Sequence, residues 1–366
     1  MRFSHLHYVP CLQWKQGEYQ ALWQLSPKTR GVLTPLIEVP GVGYDFENAR
    51  KAKTIDEHLA PFAKRVHEKW GRLPCFVDLN LISPNERLTR GVHPVRFVFE
   101  QLQERQCPAV PVTGIDRDDA YQQEIRSIVT RKESGICLRI GIEQAARGSF
   151  KRELDSLVSR LDVTRETCDM IMDLRAPNFI PLGGFAKAIQ SLVTSFPHLH
   201  DWRSFTLLGT SFPKTMTGIR KGGEVVPRHE WMLYKTLIAG FKGTELRLPT
   251  FGDYTISHPG GPELDWRVVK PPATIRYTIP DGWYIVKGEN VRDYGFKQYH
   301  ELSRLVLASR HYCGPSASWG DAYIQMCADK NARTGNLSTW RQVGANHHVE
   351  RIIRDIASFY ASSSAP

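Results

Sequence analysis

Short runs of apolar and β-branched residues recur along the chain, and each is followed by a polar or turn-forming stretch and then by a helical pattern. Near-continuous apolar runs separated by helices are typical of parallel strands in a sheet that is covered on both faces. Their centres lie roughly 25 to 45 residues apart, which is the length of one β-α unit. Eight runs fit this description: 33–39, 75–79, 109–115, 135–140, 170–174, 205–210, 246–254 and 274–278.

Eight such units predict an α/β fold, a closed (β/α)8 barrel of TIM-barrel type, which usually takes about 250 residues. An open, doubly wound parallel sheet is the alternative, because two of the eight strand patterns are weak. The segment 8–10 before the first run is interpreted as a short strand or a plug at the bottom of the barrel. Since the pattern after residue 287 is helical, we expect a barrel domain over residues 1–287 and a helical extension packed on it over 288–366.

The charge of the chain changes this picture only slightly. The formal net charge is +10 and the pI about 9.2. A basic balance favours an anionic partner such as a nucleotide or nucleic acid. The basic residues are dispersed, however, and solvated surface charge explains them equally well. No helix-turn-helix, RNP or zinc-finger motif is present, so a DNA-binding regulator is the least favoured reading.

The cysteines indicate the compartment. There are seven, none in a CxxC pair, and several lie inside apolar runs. Free buried thiols are typical of a reducing environment. We therefore expect a cytoplasmic protein without disulfides. No run approaches the roughly 18 apolar residues of a membrane-spanning helix, so no membrane partner is expected.

Charged residues interrupt the apolar runs near their carboxyl ends, where (β/α)8 barrels carry their functional groups. Such charges are costly to bury unless they are paired or functional. The candidate catalytic residues are Glu38, Asp78 and Asp173. The candidate binding residues are Arg139, Arg175, Arg276, Lys287 and His347. Carboxylates are suitable ligands for a divalent cation, and guanidinium groups bind phosphate oxygens. The sequence does not identify which metal, or whether any metal, is bound. The alternative is a structural ring of ion pairs in which these charges neutralise one another.

The histidines and the short sequence motifs give weaker evidence of function. His347 and His348 begin a predicted terminal helix, and adjacent histidines on a helix point in different directions, which makes a poor two-histidine metal site. A packing or capping role is favoured over closure of the barrel rim. The chain contains no HExxH, GxSxG, Walker or GxGxxG motif.

Four segments carry a resemblance to a known family. They are Tyr8-Val9-Pro10 with Trp14-Lys15-Gln16-Gly17-Glu18, then Thr34-Pro35-Leu36-Ile37-Glu38-Val39, then Phe76-Val77-Asp78-Leu79, and finally 340–348 with Trp340-Arg341 and Gly344-Ala345-Asn346-His347-His348. The chain resembles the beta family, named for the beta protein of a satellite prophage. The resemblance implies a component of mobile-element and anti-phage defence loci, encoded beside a toxic protein that it restrains. It supplies no catalytic residues.

Two hypotheses of different classes follow. The first is a defence component that acts with or restrains a co-encoded toxic effector, its partner protein. The second is a metal-dependent enzyme acting on a phosphorylated or nucleic-acid substrate at the barrel rim. Carboxylates that converge on an open position favour the enzyme, whereas rim charges that pair off with one another favour the binding protein.

Overall fold

The computed structural model describes residues 3–45, 47–131, 135–260 and 269–363. In chain order the strands are β1 Tyr8–Gln13, β2 Leu36–Glu38, β3 Tyr44–Asp45, β4 Arg50–Lys51, β5 Cys75–Asp78, β6 Ala109–Thr113, β7 Ile136–Gly141, β8 Cys168–Asp173, β9 Ser204–Gly209, β10 Glu224–Pro227, β11 Thr250–Asp253, β12 Pro272–Ile279 and β13 Gly282–Asn290.

The α-helices are α1 Gln16–Trp23, α2 Pro27–Arg30, α3 Ile55–Leu59, α4 Phe62–Lys69, α5 Pro94–Glu104, α6 Asp119–Arg131, α7 Ile142–Ala145, α8 Phe150–Leu161, α9 Leu182–Thr194, α10 His229–Gly240, α11 Val291–Tyr294, α12 Tyr299–Ala308, α13 Trp319–Cys327 and α14 Leu337–Ser363. Within the described residues, no helix combines the length and the hydropathy required to cross a bilayer.

Eight parallel strands close into a barrel in the order β1-β11-β9-β8-β7-β6-β5-β2. The α/β barrel expected from the sequence is therefore confirmed, and the alternative of an open sheet is wrong. Every residue of β5, β6, β8, β9 and β11 is buried. Burial on both faces explains why β5, β6 and β8 are mostly apolar rather than alternating between apolar and polar positions.

Two strands have roles that differ from the sequence prediction. The run 274–278, expected as the eighth barrel strand, lies in β12, which pairs antiparallel with β13. Only two residues separate β12 from β13, and so short a connection permits a hairpin but not a parallel crossover. The eighth place in the barrel belongs to β1, which pairs with β11 and β2.

The helices around the barrel follow from local sequence. In α5, Pro94 occupies the first turn and the His93 ring accepts a hydrogen bond from the backbone N–H of Val95. Proline is favoured there because its missing N–H would have no helical partner. Apolar residues at i, i+3, i+4 and i+7 from Val95 form one buried face. Burial of each such side chain contributes about 1.5–3 kcal/mol.

The chain divides into two compact units, both discontinuous in sequence. The first comprises Met1–Trp14, Leu33–Gly209 and Leu233–Asp253 and contains the barrel. The second comprises Lys15–Val32, Thr210–Met232 and Tyr254–Pro366. The domain boundary expected after residue 287 differs from this division, because β13 pairs with β12 and with β10 in a separate sheet.

The second unit is built on the antiparallel sheet β10-β13-β12 and on α14. One apolar cluster contains Ile275, Val286, Val306, Ile324 and Val343. Glycines permit the close packing of this unit. A Cβ on Gly320 of α13 would overlap the carbonyl oxygen of Val343 in α14, and a Cβ on Gly17 of α1 would lie 2.7 Å from Arg341 Cβ.

Candidate functional site

The guanidinium of Arg139 binds all three carboxylates nominated from the sequence. Its Nη1 donates to Glu38 Oε1 at 2.8 Å and to Asp78 Oδ2 at 2.9 Å. Its Nε donates to Asp173 Oδ2 at 2.9 Å, and Nη2 lies 2.8 Å from the same oxygen. One arginine thus joins the ends of three barrel strands.

Strand register explains this convergence. Glu38, Asp78 and Asp173 are the last residues of β2, β5 and β8, and Glu38 lies opposite Asp78 in the ladder. Because all barrel strands are parallel, their carboxyl ends meet at one rim. Gly114, which follows β6, permits the chain to pass close to β7, since a Cβ there would lie 2.6 Å from the Arg139 carbonyl oxygen.

A second guanidinium reduces the charge imbalance. Arg117 Nη2 lies 3.1 Å from each oxygen of Asp78. The backbone N–H of Asn80 donates to Asp78 at 2.9 Å and that of Arg175 donates to Asp173 at 2.8 Å. Three carboxylates and two guanidiniums leave one net negative charge. No charged side chain of this rim cluster (Glu38, Asp78, Asp173, Arg139 and Arg117) is more than 13% exposed.

A further buried contact lies in the same barrel. The Tyr8 hydroxyl of β1 donates to Asp253 Oδ1 of β11 at 2.5 Å. Both side chains are fully buried. This hydrogen bond gives one oxygen of the buried carboxylate a partner.

The rim carboxylates do not fit a metal ion. A divalent cation would need their oxygens to surround an open position, but the Arg139 guanidinium lies where they converge. Across residues 3–45, 47–131, 135–260 and 269–363, no three His, Cys, Asp or Glu side chains are grouped so that they could hold a metal. We therefore assign no metal-dependent step to the rim cluster.

The side chains of the other nominated residues are not members of the rim cluster. The Arg175 side chain is exposed. Lys287 Nζ donates to the carbonyl oxygens of Met216 and Ile219 at 2.7 and 2.8 Å, which fastens a loop of the second unit.

His347 is also structural in its contacts, as the packing interpretation expected. It is fully buried, with Nδ1 2.8 Å from Asp321 Oδ2 and Nε2 2.8 Å from the carbonyl oxygen of Thr278. Its ring stacks on Tyr277 with centroids 3.8 Å apart. Asp321 also accepts hydrogen bonds from Tyr277 and Ser318 at 2.6 Å.

Arg276 has different surroundings. It extends from β12 in the second unit, with its guanidinium carbon 5.5 Å from the centre of the Phe212 ring. Its Nε is buried without a hydrogen-bond partner. Gly344 of α14 packs beside it, since a Cβ there would lie 3.5 Å from Arg276 Cβ.

Sequence reasoning missed two arginines. Arg117 follows the run 109–115, and its position just past a strand end was the available signal. In the sequence, Arg341 is notable only as part of the segment 340–348 that carries the family resemblance. It lies one helical turn before Gly344 and donates from Nη1 to Ser257 Oγ at 2.9 Å. Segments quoted from the two ends of the chain meet here, because Ser257 Oγ also donates to Glu18 Oε1 at 2.9 Å.

Comparison with known proteins identifies a family for this chain. A family model for "Beta protein" matches residues 8–354. No curated protein matches the chain in sequence. Among solved structures, triosephosphate isomerase from Bartonella henselae is 11% identical with a TM-score of 0.34, covering 67% of this chain and 91% of the isomerase. A trimodular GH5_4 subfamily endoglucanase is 9% identical with a TM-score of 0.36, covering 69% of this chain and 56% of the endoglucanase.

Proposed function

Because the chain belongs to the Beta protein family, with a match over residues 8–354, we propose that it is the binding component of a prophage-encoded anti-phage defence system. In this proposal it acts with, or restrains, a toxic effector protein encoded beside it. Its action is cytoplasmic, a location supported by seven cysteines that are all free thiols.

The observation that supports binding over catalysis is the occupation of the rim carboxylates by Arg139. A general acid or base must reach its substrate, and a metal ligand must face an open position. Glu38, Asp78 and Asp173 instead converge on one guanidinium. Charges paired in this way fix strand ends, and recognition of a partner is left to the protein surface.

The experiment compares the intact locus with a conservative rim variant. Glu38→Gln keeps the shape of the side chain and an acceptor oxygen for Arg139 but removes a carboxylate that the enzyme hypothesis needs. After thermal unfolding confirms that the variant folds, phage protection and restraint of the effector are measured in cells. We expect both to match the wild type, with Arg147→Gln on the barrel surface as the matched control.

Two results would contradict the proposal. If folded Glu38→Gln loses phage protection while Arg147→Gln keeps it, the rim is chemically active and the enzyme hypothesis gains. If the affinity-tagged wild-type chain fails to retain the co-encoded effector, and deletion of the chain leaves the effector's toxicity unchanged, the binding role itself fails.

A further inference from the structure

The second unit contains two arginines whose charges are poorly compensated. Arg276 makes no side-chain hydrogen bond or ion pair with any described residue, although its Nε is buried. Arg276 is partly exposed as a residue, and its terminal nitrogens also make no hydrogen bond with the described residues. Buried guanidinium groups are normally paired, since an unpaired buried charge is costly.

Arg341 provides a second cation at the same place. It lies on α14 one turn before Gly344, the residue that packs against Arg276. Its Nη1 is held by the Ile256 carbonyl oxygen at 3.1 Å and by Ser257 Oγ at 2.9 Å. These contacts fix the orientation of Arg341 through one nitrogen.

The local charges do not cancel. Glu18, which accepts a hydrogen bond from Ser257, is the acidic group that acts on both arginines. Burial and the neighbouring positive charge of Arg341 lower the pKa of Arg276 to about 9. Counted over the residues that the structure describes, one carboxylate and two guanidiniums give a net charge of +1, in a setting where charged groups interact more strongly than in water.

We propose that Arg276 and Arg341, with the Ser257 hydroxyl beside them, form a binding site for a phosphate group carried by a small molecule such as a nucleotide. Guanidinium forks bind phosphate oxygens with paired hydrogen bonds, and an aromatic ring beneath a guanidinium holds its plane in place. Phe212 supplies that ring for Arg276. The site lies within the second unit and does not depend on the proposed role in restraining an effector.

Binding is tested on the full chain in phosphate-free buffer by thermal unfolding and calorimetry. The probes are inorganic phosphate and adenosine monophosphate, with sodium chloride at matched ionic strength and adenosine as their phosphate-free controls. At about ten times its dissociation constant, a phosphate probe is expected to raise Tm by about 2–4 °C beyond its control. Tighter binding of adenosine monophosphate than of phosphate would identify a nucleotide as the carrier, and equal binding would identify free phosphate.

Variants then identify the site. Arg276→Gln is expected to weaken phosphate binding at least tenfold and to raise the Tm of the ligand-free protein, because it removes an uncompensated buried charge. Glu18→Gln is expected to tighten binding, since it removes the opposing carboxylate. Arg333→Gln, at an exposed arginine of the same unit, should leave binding unchanged.

Three outcomes would overturn the site. They are a wild-type response to both phosphate probes no greater than to their controls, an unchanged affinity in Arg276→Gln, and an equal loss in Arg333→Gln. If Arg276→Gln does not fold, Arg341→Gln replaces it, and an affinity equal to that of the wild type in this variant counts against the proposal in the same way.

Discussion

At the scale of single residues, Arg139 is the side chain on which three buried carboxylates at the barrel rim depend. Replacing it by Met leaves three carboxylates at the rim with Arg117 as the remaining cation of the rim cluster. Breaking a buried ion pair from one side typically costs about 3–5 kcal/mol. We expect Arg139→Met to lower the free energy of unfolding by about this amount, measured by denaturant titration.

The matched control is Arg147→Met. Arg147 pairs with Asp116 on the surface, where its side chain is 42% exposed. Exposed ion pairs contribute about 0–1 kcal/mol. If the two substitutions cost the same, the rim cluster does not stabilise the barrel by charge compensation.

Asp321 makes stability depend on pH. Burial raises its pKa, but hydrogen bonds from His347, Ser318 and Tyr277 outweigh burial, so the pKa lies below the ordinary value of 3.8. A depressed carboxyl pKa contributes stability that is present above the unfolded value and lost as pH falls through the folded one. The difference in unfolding free energy between wild type and Asp321→Asn should be constant above about pH 5 and shrink below about pH 4. A difference that is unchanged at pH 3 would contradict this assignment.

At the scale of elements, the packing of α13 on α14 requires glycine at position 320. A Cβ there would overlap the Val343 carbonyl oxygen, which is backbone and cannot rotate away. Overpacking of this kind costs about 1–3 kcal/mol. We expect Gly320→Ala to lower Tm, as measured by calorimetry.

Gly183 offers the opposite case in α9. A Cβ at this position meets nothing within 4 Å. Alanine has a higher helix propensity than glycine, by up to about 1 kcal/mol. Gly183→Ala should therefore be neutral or stabilising, and an equal loss of stability in both variants would show that contact with α14 does not explain the Gly320 effect.

Elements also show where sequence patterns suffice. The apolar period of α5 and the largely apolar runs of β5 and β8 identify these elements from the sequence, because burial determines most of their pattern. The runs in β1 and β12 have similar composition but different partners. Because such a run does not by itself show which neighbour it pairs with, the sequence predicts β12 as a barrel strand and the segment 8–10 as a short strand or a plug.

At the scale of the whole molecule, some nominated residues belong to the rim cluster and others, such as Arg276, belong to the second unit. Strand pairing determines which residues fall in each group. Charges within apolar strands identify four of the five members of the rim cluster, Glu38, Asp78, Asp173 and Arg139, since only pairing permits their burial. Whether they would surround a metal or an arginine depended on contacts between strands far apart in sequence. The sequence places Arg276 at the barrel rim because it predicts β12 as a barrel strand. Arg341, the arginine that accompanies Arg276, comes from α14, which is distant in sequence.

The seven cysteines test the fold as a whole. Six are buried, and Cys313 is intermediate. Burial raises the pKa of the Cys11, Cys75 and Cys137 thiols, and raises that of Cys168 to about 12. Since the thiolate is the reactive form, buried thiols of raised pKa react slowly.

In the folded protein at pH 8, we expect a thiol reagent to modify Cys313 first, as shown by peptide mass spectrometry, and the other cysteines at the rate of unfolding. In denaturant without reductant all seven should react, because all are free. Rapid modification of a barrel cysteine such as Cys137 in the folded protein would show that the barrel opens far more readily than its closed strand order implies.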